Sequence, residues 1–168
     1  MRKRLRTDQD GFGLIELLIA MLILNIGLLA IIASFQAGVI TLGRASRVTT
    51  AALIADQQME LYRAIKWDSI RLASSSIPGT APYTTDSAYS ASQVTTPACS
   101  GSPLPNECNA SRTVTGADNK NYRLDVYIVQ VTPTNGRQVK QVTLVVRDAT
   151  TTSRIYVRQG SRFDQSTG

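Results

Sequence analysis

Hydrophobic positions fall into three regimes along the 168-residue chain. From Leu17 to Gly43 there is no charged residue, and the stretch LLIAMLILNIGLLAIIASFQAGVI is apolar on every side. About 20 such residues cross a bilayer as a helix, so this run is long enough to do so. After Gly43 the pattern becomes amphipathic. At 100° per residue Val48, Ala51, Ala52, Ile54, Ala55, Met59, Leu61, Tyr62 and Ile65 share one arc, while Thr49, Asp56, Glu60 and Arg63 lie opposite. No proline interrupts residues 12–77. The pattern predicts one helix from about Phe12 to about Leu72, roughly 90 Å at ~1.5 Å per residue. That exceeds a membrane span, so the second half is expected to emerge and pack on a folded head.

The last third alternates with a period of two. In Tyr122–Val131, Leu124, Val126 and Ile128 oppose Asp125, Tyr127 and Val129. In Gln138–Asp148, Val142, Leu144 and Val146 share a face. A shorter run follows at Arg154–Gly160, with Arg112–Thr115 as a further edge. Asn135-Gly136, after Pro133-Thr134, marks a hairpin turn. The expected fold class is α+β: a long N-terminal helix packed on a small antiparallel sheet.

Between helix and sheet the composition changes. Five of the six prolines lie between Pro78 and Pro105, amid Ser, Thr and Gly. Long regular elements are disfavoured there, and a solvated surface loop is expected.

Charge refines the picture. Arg2, Lys3, Arg4 and Arg6 precede the apolar run, against Asp8 and Asp10. The positive flank keeps the short N-terminus cytoplasmic and places the rest outside. In an exported chain Cys99 and Cys108, in the proline-rich stretch, read as a local disulfide. The chain has no histidine, which removes the commonest general base and metal ligand. There is also no phosphate-binding glycine loop, no GxSxG and no metal-ligand cluster. An enzyme is not expected, and neither is a cofactor or metal.

A conventional secretory signal has a shorter apolar region, about 7–15 residues, and does not run on into an amphipathic helix. A plain membrane anchor leaves Glu16 unexplained. A carboxylate near the start of an apolar span disfavours insertion, so it invites a partner.

Residues 11–24 read GFGLIELLIAMLIL. This resembles the class III signal sequence of type IV pilins and pseudopilins: a basic leader ending in Gly, then Phe, three residues, and Glu inside an apolar helix. The resemblance implies cleavage between Gly11 and Phe12 by a membrane-embedded prepilin peptidase. It implies N-methylation of Phe12 and a subunit-assembly role for Glu16, paired with the new amine of a neighbouring subunit. Gly13 stands where Thr is frequent, and Ala33 where many major pilins carry Pro. These departures favour a minor subunit. The helix sequence is similar to pilus modification (PilV-like) minor pilins.

The expected organisation is a leader at 1–11, a transmembrane and filament-core helix at 12–43, and its amphipathic half at 44–72. A Ser/Thr/Pro-rich loop with Cys99 and Cys108 follows at 73–111, then an antiparallel head at 112–168. Expected partners are prepilin peptidase, other pilin subunits, the inner-membrane assembly machinery and, before assembly, membrane lipid. The expected location is a single-pass membrane protein, then the cell-surface pilus. A type II secretion pseudopilin is the nearest alternative. A second class is a nucleic-acid-binding head. Residues 111–168 carry nine Lys/Arg against four acids, and basic surfaces attract phosphate. The competing reading of those cations is a solvated strand face that resists edge aggregation.

Overall fold

The computed structural model describes residues 13–134 and 136–165. Gly11, Phe12 and Asn135 lie outside the described residues. Helix α1 spans Leu14–Ala64. Strands β1 (Ser111–Thr115), β2 (Asn121–Val131), β3 (Val139–Asp148) and β4 (Ile155–Asp164) follow. They form one antiparallel sheet in the order β1-β2-β3-β4. The architecture is the expected α+β layout. Backbone contacts divide the chain into two units between Gly43 and Arg44.

In the second unit, the helix from Arg44 to Ala64 buries Ala51, Ile54, Ala55, Met59 and Tyr62. These recur at helical spacing and pack against Leu124, Val126 and Ile128 of β2 and Val142, Leu144 and Val146 of β3. The register places these strand residues opposite one another, Leu124 with Val146, Val126 with Leu144 and Ile128 with Val142. The buried arc is rotated from the one drawn on hydrophobicity alone. Val48 and Leu61 are exposed by 45% and 39%, while Thr50 and Gln58 are buried. Gln58 can be buried because both ends of its amide are satisfied. Its Nε2 donates to the Asn106 carbonyl at 3.2 Å, and its Oε1 accepts from Arg112 at 3.0 Å.

The helix stops at Ala64, short of the expected Leu72. Beyond it Trp67–Ser69 forms a single 3₁₀ turn. The Trp67 indole donates to the Phe163 carbonyl at 3.1 Å, and Lys140 Nζ lies 4.0 Å from the ring centre while donating to the Trp67 carbonyl at 2.8 Å. Those bonds compensate a buried ring and a buried ammonium that a continuing helix would leave unpaired. Ile70 and Leu72 are both buried. Two residues apart, they would point to different sides of a helix, but they share a side of an extended segment.

The proline-rich segment departs from the expected solvated loop. It covers the second face of the sheet. The Tyr83 ring is fully buried and stacks on Tyr127 with centroids 4.4 Å apart. Tyr83 Oη donates to the Val126 carbonyl at 2.6 Å, and Tyr127 Oη donates to the Tyr83 carbonyl at 3.1 Å. The Val94 amide donates to the Ile128 carbonyl at 2.9 Å, so this segment continues the β1 edge along β2. Leu124–Ile128 is consequently buried without a break, on both faces of the sheet.

Gly116 opens the β1–β2 turn against the helix. A Cβ there would lie 2.5 Å from Thr50 Cγ2 and 2.8 Å from the Tyr122 ring. Both neighbours are held in the core. Gly116→Ala is therefore expected to destabilise the head by about 1–3 kcal/mol through overpacking. Denaturant titration followed by fluorescence of Trp67, the sole tryptophan, measures it.

Candidate assembly site and the charged network of the head

In the first unit every described residue of the apolar run is exposed. Part of α1 is long and apolar enough to cross a membrane. Three of its polar side chains hydrogen-bond within their own helix. Asn25 Nδ2 donates to the Met21 carbonyl at 2.8 Å, Ser34 Oγ to Ala30 at 3.0 Å and Thr41 Oγ1 to Ala37 at 2.8 Å. Donating four residues back removes the cost of bare polar hydrogens in hydrocarbon.

Glu16 is the charged residue of this segment. It lies in the first turn of α1, where the Gly13 carbonyl accepts from its amide at 2.9 Å. Its position near the positive end of the helix dipole favours a carboxylate. Yet the side chain has no hydrogen-bond or ion-pair partner among the described residues. Gly11 and Phe12, the other two residues of the expected processing motif, lie outside them. Cys99 and Cys108 are joined, with Cα atoms 6.2 Å apart, and Cys108 is buried. The bridge ties the proline-rich segment just ahead of β1, beside the backbone bond from the Ala73 amide to the Cys108 carbonyl.

The second face of the sheet carries a charged network that sequence patterning did not reveal. Asp125 is fully buried on β2. Its Oδ1 accepts from Arg123 Nε at 2.9 Å and from Ser111 Oγ at 2.6 Å, and its Oδ2 accepts from Arg147 Nε at 3.1 Å. Arg147, 4% exposed, also reaches Asp86 in the covering segment. Asp86 in turn receives both guanidinium nitrogens of Arg158, at 2.8 and 2.9 Å. Burial alone raises the Asp86 carboxyl, but bonds from Arg158 and the Ala88 amide, with the nearby Arg147 charge, hold it below its ordinary value. A buried carboxylate is tolerated here because every charge has a partner.

This network uses cations that, in the strand pattern alone, look available to nucleic acid. Arg123, Arg147 and Arg158 pair with acids of the same face. Arg112 is turned to Gln58 on the helix, and Lys140 is buried on Trp67.

At one end of the sheet Asp148 accepts from the Thr151 and Thr150 amides at 2.9 Å each, from Tyr156 Oη at 2.8 Å and from Arg47 Nη1 at 3.3 Å. These bonds, the Thr151 amide foremost, lower its pKa to about 2 from the ordinary 3.8. The folded carboxyl thus titrates below the unfolded one. Its stabilisation is complete above about pH 4 and is lost as pH falls toward about 2. Asp148→Asn is expected to flatten the fall in head stability across that window, as read by denaturant midpoints at each pH.

The profile of the family described as "Prokaryotic N-terminal methylation motif" matches residues 6–32. The match takes in Gly11, Phe12 and Glu16. No curated protein and no solved structure is significantly similar to the chain. The chain therefore carries a prepilin-type motif on a helix long enough to span a membrane, as a type IV pilin-like precursor does.

Proposed function

We propose that this chain is a minor type IV pilin. Prepilin peptidase cuts between Gly11 and Phe12, Phe12 is N-methylated, and the mature chain enters a pilus to support its assembly, tip formation or modification. Within that class the pilus modification (PilV-like) minor pilins are the proposed subtype. The leader, helix and head organisation follows from this reading, with the helix ending at Ala64 and the head outside the cytoplasmic membrane before assembly.

One observation carries the proposal: the methylation-motif match over residues 6–32 coincides with a carboxylate, Glu16, in the first turn of α1 immediately ahead of the uncharged run Leu17–Gly43. In hydrocarbon or in a filament core that charge needs a counter-charge. The amine freed at Phe12 of a neighbouring subunit supplies one. The pairing then fixes axial register between subunits.

A type II secretion pseudopilin would share the motif and the helix. A DNA-binding head is less well supported, because five of the nine cations of residues 111–168 are committed inside the fold. Intact-mass spectrometry of the protein from native membranes and filaments tests the proposal. The expected species begins at Phe12 and carries one added methyl group. A species that retains Met1 in filaments overturns the reading.

A further inference from the structure

The second unit begins at Arg44, the residue directly after the apolar run. The sheet end nearest this point is identified by contacts within the unit. Arg47 bonds to Asp148 and to Tyr156 at 3.3 and 3.1 Å. Thr50 packs against Gly116 in the β1–β2 turn. The Ala149 amide donates to the Asn121 carbonyl at 3.4 Å, so the β1–β2 and β3–β4 turns lie side by side. Arg44 to Thr50 covers only about 9 Å of helix at ~1.5 Å per residue. Both turns therefore flank the opening helical segment of the second unit, Arg44 to Thr50.

The charges at this end are sorted by exposure. Its two acids face inward. Asp148 is surrounded by four donors, and Asp118 accepts from Tyr122 Oη at 2.6 Å and from the Lys120 amide at 3.2 Å. Arg47 is spent on Asp148. Three cations face outward: Arg44, Lys120 in the β1–β2 turn and Arg154 in the β3–β4 turn are all exposed. None of their side chains has a hydrogen-bond or ion-pair partner among the described residues. The Arg158 and Arg147 side chains, by contrast, are held by acids.

We propose that Arg44, Lys120 and Arg154 form a docking surface for anionic phospholipid headgroups, which holds the head down on the bilayer before assembly. The proposal rests on the reading that the apolar run spans the membrane. The occupant follows from chemistry and from chain continuity. Residues next to a membrane span lie within a Debye length of the headgroups, about 8 Å at physiological salt, where unpaired Lys and Arg are attracted to anionic lipid. Arg and Lys also supply the donors that headgroup phosphates accept.

The test uses the full chain in lipid nanodiscs of phosphatidylcholine, with or without about 30% phosphatidylglycerol. Hydrogen exchange is measured at turns 116–120 and 149–154. Anionic discs are expected to slow exchange there on the order of 10-fold, with the effect shrinking as salt rises. The triple variant Arg44→Gln/Lys120→Gln/Arg154→Gln is expected to lose the lipid dependence, whereas Arg137→Gln/Arg162→Gln keeps it. Equal exchange in both lipids, or an unchanged triple variant, overturns the proposal while the membrane reading stands. Failure of the chain to enter discs of either composition overturns both.

Discussion

Glu16→Ala is expected to yield a chain that is cut normally after Gly11 but reaches filaments at least about 10-fold less than the parent. A lone carboxylate in hydrocarbon is costly and needs a counter-charge. Breaking a buried pair by removing one partner costs about 3–5 kcal/mol, because the other charge is left bare. In the variant the bare group is the ammonium of the neighbour's Phe12. The proposed cut lies between Gly11 and Phe12, away from the carboxylate, so processed chain is expected to accumulate in the membrane. Glu16→Gln separates charge from hydrogen bonding. It keeps an acceptor for the amine and is expected to lose less than the alanine variant. The measurement is the ratio of processed chain in sheared filaments to that in membranes, by immunoblot. Normal incorporation of Glu16→Ala would remove the pairing from the account.

Arg147→Met is the second large effect, and it concerns the head alone. The guanidinium lies between Asp125 and Asp86, and both acids are almost completely buried. Methionine fills similar volume but leaves Asp125 with Arg123 and Ser111 only, and Asp86 with Arg158 and the Ala88 amide. A destabilisation of about 3–5 kcal/mol is expected. Half or more of a small domain's stability can be lost in this way. Trp67 fluorescence in denaturant titrations reads it directly. Arg158→Met, whose side chain is 37% exposed, is expected to cost far less, about 1 kcal/mol. If the two variants were equal, the deep position of Arg147 would have no energetic meaning.

The contrast between these residues shows what the sequence makes legible. The helix, the three long strands and the α+β class follow from periodicity, because burial on one face leaves a period that can be counted. Glu16 was legible for the same reason: it interrupts a pattern that is otherwise uniform. The Asp86–Arg147–Asp125 network was not. Strand alternation placed Asp125 on an outer face that polarity suggested was wet. The signal against that reading is local. Val126-Tyr127-Ile128-Val129 and Leu144-Val145-Val146 are apolar at consecutive positions, as strands buried on both faces are. Five prolines between Pro78 and Pro105 lead to the expectation of a solvated surface loop. Proline removes helices and ladder bonds, but it does not prevent a chain from lying flat on a sheet through Tyr83 and Val94. The early end of α1 was hidden because Ile65, Ile70 and Leu72 continue to supply apolar residues after the helical spacing has lapsed.

The inward bonding of Asn25, Ser34 and Thr41 bears on how such a helix could leave lipid. A membrane helix whose polar groups are matched to particular neighbours must give up those bonds whenever it changes company. Here each of the three carries its acceptor with it, one turn back along its own backbone. On the proposed reading, a helix moved lengthwise from bilayer to fibre, or rotated about its axis, keeps these three bonds, so they contribute nothing to the energetic difference between the two environments.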